Sequence, residues 1–239
     1  MEIAPLGDTA LAVHIRDRFE DASEKTLNEV LNVLRRLEDA QIPGVIELAP
    51  AYTSVAVFYD PLRVIKDEAG PDHVIELLLQ QIGQALAGRQ RKGHKPVVAR
   101  TVEIPVCYDP KFALDLEHVA RHAQISPSEV VELHSAADYR VHCLGFTPGF
   151  PYLAGLPKKL ATPRRATPRK EIPAGSVGIG GAQAGIYPQR SPGGWNVIGR
   201  TPLRLFDPQK DPPALLCSGD RVRFRPIKQD EFEALKQCN

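Results

Sequence analysis

Two copies of Thr-Pro-Arg, starting at Thr162 and Thr167, frame the segment TPRRATPRK, where four basic side chains occur with no acid. Proline fixes its own φ and presses the preceding residue into an extended conformation, so the segment is stiff without being helical. A stiff loop loses little entropy in holding an arginine, and a guanidinium fork suits a carboxylate or a phosphate. Arg164 and Arg169 hold equivalent places in the two copies. They are the expected anion ligands, ahead of Arg165 and Lys170. The alternative is that they pair with acids elsewhere in the fold.

The glycines of GSVGIGGAQAG (Gly175 to Gly185) invite a phosphate site, but no Lys-Ser/Thr follows as in a P-loop. The spacing also fails G-x-G-x-x-G by one residue. What remains is a glycine turn whose N–H groups, around Gly175, Gly178, Gly180 and Gly181, can face an anion or a bound nucleotide. Tight barrel corners are the competing reading. Phe146, Phe150 and Tyr152 stand among Pro148, Gly149 and Pro151, and Tyr187 and the single tryptophan, Trp195, follow. Such aromatics on a proline-stiffened scaffold line a pocket or an interface, or they plug the end of a barrel. Ser176 follows a glycine outside any nucleophile elbow and is retained as a substrate-binding residue. His142 and Cys143 are strand neighbours pointing to opposite faces, a poor thiol–imidazole pair. His134, at a helix end, is expected at the surface. No His/Cys cluster has zinc spacing.

These residues lie in a charged island. From Tyr139 to Phe206 there are ten basic residues and one acid, Glu171, a balance of +9, whereas the remainder of the chain carries −8. An island of one sign attracts carboxylates, phosphates or an acidic protein surface. The linker-like GRQRKGHKP (Gly88 to Pro96) is basic too, but it lacks the interleaved aromatics of a nucleic-acid site. The chain of 239 residues suffices for two domains. It shows no signal-peptide pattern and no apolar run of the roughly 20 residues that span a membrane. Its four cysteines, Cys107, Cys143, Cys217 and Cys238, form no C-x-x-C pair, which suits reduced thiols in a cytoplasm.

The elements that must position the site fall into two parts. ALAVHI reads as a strand, and Asp21 with Glu24 starts a helix carrying Leu27, Val30, Leu31, Leu34 and Leu37 at helical spacing. VIELA and SVAVFY are strands, and Pro71 opens a second helix through Leu78 and Ile82. Residues 1–90 are thus an α+β domain of order β-α-β-β-α, residues 91–96 a linker, and residues 97–239 a second domain. In the second, Ser126-Pro127-Ser128-Glu129 is a strong helix start. Eleven of the 18 glycines and nine of the 22 prolines then fall between Cys143 and Pro202. Short apolar pieces between such breakers (SVGIG, WNVIG, LRLF) predict a β-barrel with many turns.

Four blocks in order, GFTPGFPYLAGLP, ATPRRATPR, PAGSVGI and YPQRSPGGWNVIGRTP, resemble the signature of the KipI/PxpB family, also called the allophanate hydrolase small subunit family. The resemblance implies that the barrel is cyclophilin-like, without implying prolyl isomerase activity. It implies a subunit of a bacterial ATP-dependent 5-oxoprolinase, which opens pyroglutamate to glutamate. The implied partners are a KipA/PxpC-like and a LamB/YcsF/PxpA-like subunit. A KipI-type inhibitor of a sensor histidine kinase is the alternative. On the enzyme reading, Arg164 and Arg169 hold an anionic group, Phe150, Tyr152 and Tyr187 wall the site, and catalysis needs a partner subunit. His142-Cys143 departs from the large apolar or tyrosine residues expected before L-G-F.

Overall fold

The computed structural model describes residues 1–16, 23–64, 73–88 and 99–237. They form two compact units, Met1–Val98 and Ala99–Asn239. Asp21, Pro71, Cys238 and the linker at 91–96 lie outside the described residues.

The first unit runs β1 (Glu2–Pro5), β2 (Ala10–His14), α1 (Glu24–Ala40), β3 (Val45–Pro50), β4 (Ser54–Tyr59), α2 (Pro61–Val64) and α3 (Val74–Ala87). The strands make one antiparallel sheet in the order β1-β2-β4-β3. The order β-α-β-β-α therefore omits a strand and a short helix. β1 has four residues, ends in proline and sits at an edge, so it lacks the alternating apolar run that marks a half-buried strand. Ser23 caps α1, its Oγ accepting the Thr26 N–H at 3.1 Å, and Gln41 in the left-handed region ends it. Leu27, Val30 and Leu37 of α1 and Leu78 and Ile82 of α3 are buried, as are Val55 and Val57 of β4.

The second unit begins with β5 (Thr101–Cys107), α4 (Leu116–Ala123), α5 (Pro127–Ala136), β6 (Tyr139–Leu144) and β7 (Pro151–Ala154). It continues with β8 (Arg169–Ile172), β9 (Ser176–Gly180), β10 (Gln183–Ile186), β11 (Ser191–Gly193), β12 (Asn196–Arg200), β13 (Arg221–Ile227) and α6 (Gln229–Gln237). Seven strands close a barrel in the order β10-β7-β6-β13-β5-β12-β9, while β8 and β11 pair separately. Closure comes from β13 lying parallel to β5, from Arg221 beside Thr101 to Ile227 beside Cys107. Val106, Val141, Leu153, Ile179, Ile198 and Phe224 belong to the core that fills it. At the start of α5, Ser126 Oγ accepts the Glu129 N–H and Glu129 Oε2 accepts the Ser126 N–H, a full capping box.

One histidine departs from expectation. His134, on α5, is wholly buried, stacked on Phe224 with ring centroids 4.5 Å apart. Its Nδ1 lies 2.8 Å from Tyr108 Oη. Among the described residues no helix is long and apolar enough to cross a membrane.

Candidate functional site

The β6–β7 connection is a tight loop held by its own backbone. Gly145 N–H donates to Phe150 O at 3.1 Å, Phe150 N–H to Thr147 O at 3.0 Å, and Thr147 N–H to Gly145 O at 2.8 Å. The last bond spans two residues and centres a γ-turn on Phe146, whose φ is +67°. A bulky residue there stores on the order of 1–3 kcal/mol of strain. Phe146 is also 59% exposed, against 2% for Phe150. Its ring meets Phe150 edge-on at 5.5 Å and Tyr187 at 6.4 Å. Beneath it, Phe150 contacts Tyr152 at 5.0 Å, Tyr187 at 5.2 Å and Trp195 at 5.5 Å, all edge-to-face. The predicted wall residues Phe150, Tyr152 and Tyr187 thus share one aromatic cluster outside the barrel core.

Both phenols stay protonated at neutral pH and can donate hydrogen bonds. Burial pushes Tyr187 up, only partly opposed by the Trp195 backbone N–H and the charges of Arg164 and Arg169. Burial and then the Cys143 thiol push Tyr152 up, against the pull of Arg164. Cys143 reaches this side because a β-bulge between Val141 and Cys143 sets it opposite Tyr152. The unusual His142-Cys143 pair therefore places a thiol beside the aromatic cluster.

The four basic residues of TPRRATPRK have different fates. Arg169 makes a two-pronged pair with the buried Asp115, Nη1 to Oδ2 at 2.6 Å and Nη2 to Oδ1 at 2.8 Å. Arg165 Nη1 joins Oδ1 at 2.7 Å, and the Val197 N–H donates to Oδ2 at 2.8 Å. Burial alone would raise the Asp115 carboxyl. The Arg169 and Val197 hydrogen bonds, with the charges of both arginines, outweigh it and hold the group below the usual carboxylate range. Arg169 as an anion ligand is thus corrected: its fork already holds a carboxylate from within the chain. Arg164 has no acidic partner among the described residues and lies with Cζ 5.7 Å from the Trp195 ring centroid. Its neighbours are pinned. Asn196 Nδ2 donates to Pro163 O at 2.9 Å, and Arg165 N–H to Gly194 O at 2.7 Å. Such anchoring pre-organises the one guanidinium between them.

The glycines and Ser176 do other work than nucleotide binding. Gly175, at φ +80°, donates its N–H to Tyr187 O at 2.7 Å, and Gly181 donates to Thr162 O at 2.8 Å. Neither N–H is left for a phosphate. Gly178 and Gly180 lie in β9 on the face opposite the core residues Val177 and Ile179. A Cβ at Gly180 would stand 2.5 Å from the Trp195 indole, and one at Gly185 only 2.8 Å from Phe150 and 2.9 Å from Trp195. The glycines make the bed of the tryptophan. Ser176 is 1% exposed, too enclosed to meet a substrate. Gly185→Ala should cost about 1–3 kcal/mol by overpacking and alter tryptophan emission. Unchanged emission and thermal midpoint would show that the bed is not tight.

Comparison with known proteins now decides the family. A family profile described as carboxyltransferase domain, subdomain C and D, matches residues 1–216. The chain is 43% identical over 238 residues to the PxpB subunit of 5-oxoprolinase from Bacillus subtilis (strain 168), covering 99% of this chain and 97% of that protein. The chain belongs to the KipI/PxpB family of 5-oxoprolinase subunits. The corresponding 5-oxoprolinase subunit from Escherichia coli O157:H7 is 42% identical over 224 residues, 94% of this chain and 95% of that protein. The solved structure of TTHA0988 superposes with a TM-score of 0.74 at 36% identity, over 92% of this chain but only 40% of that longer one.

Within this KipI/PxpB family member, Asp115 is the residue that sequence reasoning missed. It lies outside the basic island and precedes α4, where an aspartate reads as a helix cap, yet its side chain makes no cap bond. The available signal was electrostatic: a +9 island with one acid needs a carboxylate from elsewhere if any arginine is to be enclosed.

Proposed function

We propose that this chain is the PxpB subunit of an ATP-dependent 5-oxoprolinase, acting in the cytoplasm with KipA/PxpC-like and LamB/YcsF/PxpA-like partners to convert pyroglutamate to L-glutamate. On this reading its barrel is cyclophilin-like, as the family resemblance implies. The observation that carries the proposal is the state of Arg164: pinned on both sides, set against Trp195, and without an acidic partner among the described residues while Arg165 and Arg169 are held by Asp115. A small lactam with a carboxylate matches this surface. Its carboxylate meets the guanidinium, its flat ring lies against aromatic edges, and its polar atoms face the Tyr152 and Tyr187 hydroxyls.

These groups bind and orient; they do not make or break bonds. A lactam is a poor electrophile, and the reading couples its opening to ATP, with the reacting groups completed by partner subunits. Phe146, strained and exposed, is placed to cover the ring when a partner closes over the loop.

The test is glutamate release from pyroglutamate and ATP by the three co-purified proteins. Arg164→Gln should lower kcat/KM at least about tenfold, chiefly through KM if the guanidinium holds the carboxylate equally in ground and transition states. Arg164→Lys should recover part of the loss. If activity persists when this chain is omitted, the reading is wrong.

A further inference from the structure

The segment that carries Arg164 also walls a second hollow. Residues 163–167 and the side chains of His118 and His122 on α4 enclose a cleft of about 460 Å³. His118 and His122 are four residues apart, so they project from one helix face on successive turns. Across from them stand Arg164 and Arg165, with Thr167 at the far end of the segment, and no carboxylate lines the cleft. The acids of the surrounding elements are committed or set apart. Asp115 is held by Arg165 and Arg169, Glu129 on α5 is locked in its capping box, and Glu117 on α4 is not part of the lining. Lys158 and Lys159, in the 3-10 turn that packs on α4, add further positive charge.

Two histidines at this spacing are also a familiar pair of metal ligands. Here two guanidiniums share their cleft, which repels a divalent cation, and no third His, Cys, Asp or Glu joins them among the described residues. The same charges favour an anion. A single carboxylate is satisfied by one guanidinium fork, whereas a tetrahedral phosphate presents oxygens in several directions and gains from several donors at once. Imidazole N–H groups on one wall, guanidiniums on the other and a threonine hydroxyl supply such a set.

We infer that the cleft between α4 and residues 163–167 is a phosphate-binding site, distinct from the aromatic rim and joined to it only through Arg164. The ligand is a phosphate group, either inorganic phosphate or the terminal phosphoryl of a nucleotide. This inference does not rest on the oxoprolinase reading, because it is tested on the chain alone.

The experiment follows the histidine side-chain NMR signals of the full chain during titration with inorganic phosphate, ATP or acetate. Phosphate should bind saturably in the millimolar range or tighter, shifting His118 and His122. The double variant His118→Gln/His122→Gln should weaken binding at least about tenfold, equivalent to about 1.4 kcal/mol. Both side chains are exposed, so the variant should keep the parent's thermal midpoint. ATP competing for the same signals assigns a nucleotide's phosphoryl group; phosphate binding that ATP does not displace assigns the free ion. Absence of saturable binding by both, undiminished affinity in the double variant, or acetate binding as tightly as phosphate would each overturn the inference. Loss of phosphate binding with intact pyroglutamate turnover in the complex would separate the two sites.

Discussion

Asp115→Ala is expected to destabilise the barrel unit by about 3 kcal/mol, lowering its thermal midpoint by roughly 10 °C. The carboxylate has 3% side-chain exposure and is the shared acceptor for Arg165, Arg169 and the Val197 N–H. Its removal leaves two guanidiniums and a backbone donor without their acceptor in a largely enclosed place, the costly way to break a buried pair. Because the arginines are 33% and 23% exposed, water recovers part of the loss, which sets the figure at the lower end for such pairs. The damage should extend beyond stability. With Arg165 and Arg169 released, the 163–169 segment loses an anchor on each side of its second Thr-Pro-Arg, and Arg164 loses its fixed station. Thermal unfolding of the purified variant tests the first effect, and pyroglutamate turnover in the complex the second. A midpoint within about 2 °C of the parent would show that the network contributes nothing.

Acid should destabilise the same unit through His134, well before its carboxylates are protonated. Burial holds this imidazole down at about 3, from an ordinary value of 6.5. The Tyr108 phenol, itself pushed up by burial, stays protonated and donates to Nδ1. Above pH 6.5 the histidine is neutral in both folded and unfolded chains, and stability does not depend on it. Below that pH the unfolded chain takes a proton that the folded chain refuses, so stability falls by about 1.4 kcal/mol per pH unit. The loss should reach about 2 kcal/mol near pH 5 and on the order of 4 kcal/mol near pH 3. Asp115 acts in the same direction but later, since its folded value lies below an ordinary 3.8. Urea unfolding across this range should show the slope in the parent. His134→Gln, which cannot titrate but keeps an acceptor for Tyr108, should start less stable and lose much of the slope. An equal slope in both would remove His134 as the cause.

What could be read from the chain divides by the range of the physics. The start of α5 was legible because a capping box involves neighbours three residues apart, Ser126 and Glu129. The closed barrel was legible because dense glycine and proline between short apolar pieces permit few alternatives. The extra edge strand Glu2–Pro5 was not, since its pairing with β2, rather than any periodicity of its own, makes it a strand. His134 was placed at the surface because a helix end reads as solvated until a barrel strand packs over it. In the candidate site, the aromatic residues came together as their clustering implied, while the arginines could not be ranked. Arg164 and Arg169 are equivalent in sequence and are separated only by Asp115, which lies 54 positions from Arg169. The glycines illustrate the same limit: their role near Trp195 is steric, and spacing motifs are silent about it.

The parallel pairing of β5 with β13 has a consequence for the order in which the unit can form. Thr101 must wait for Arg221, so the barrel's closing seam cannot exist until nearly all of the unit has left the ribosome. Until then the edges of β5 and β6 that β13 will cover are open to other chains, and loop closure over this separation favours slow folding. The hairpins β6–β7 and β9–β10, each made of near neighbours, face no such delay. The aromatic loop and the tryptophan's glycine bed can therefore be assembled early, while the seam that locks them in place arrives last.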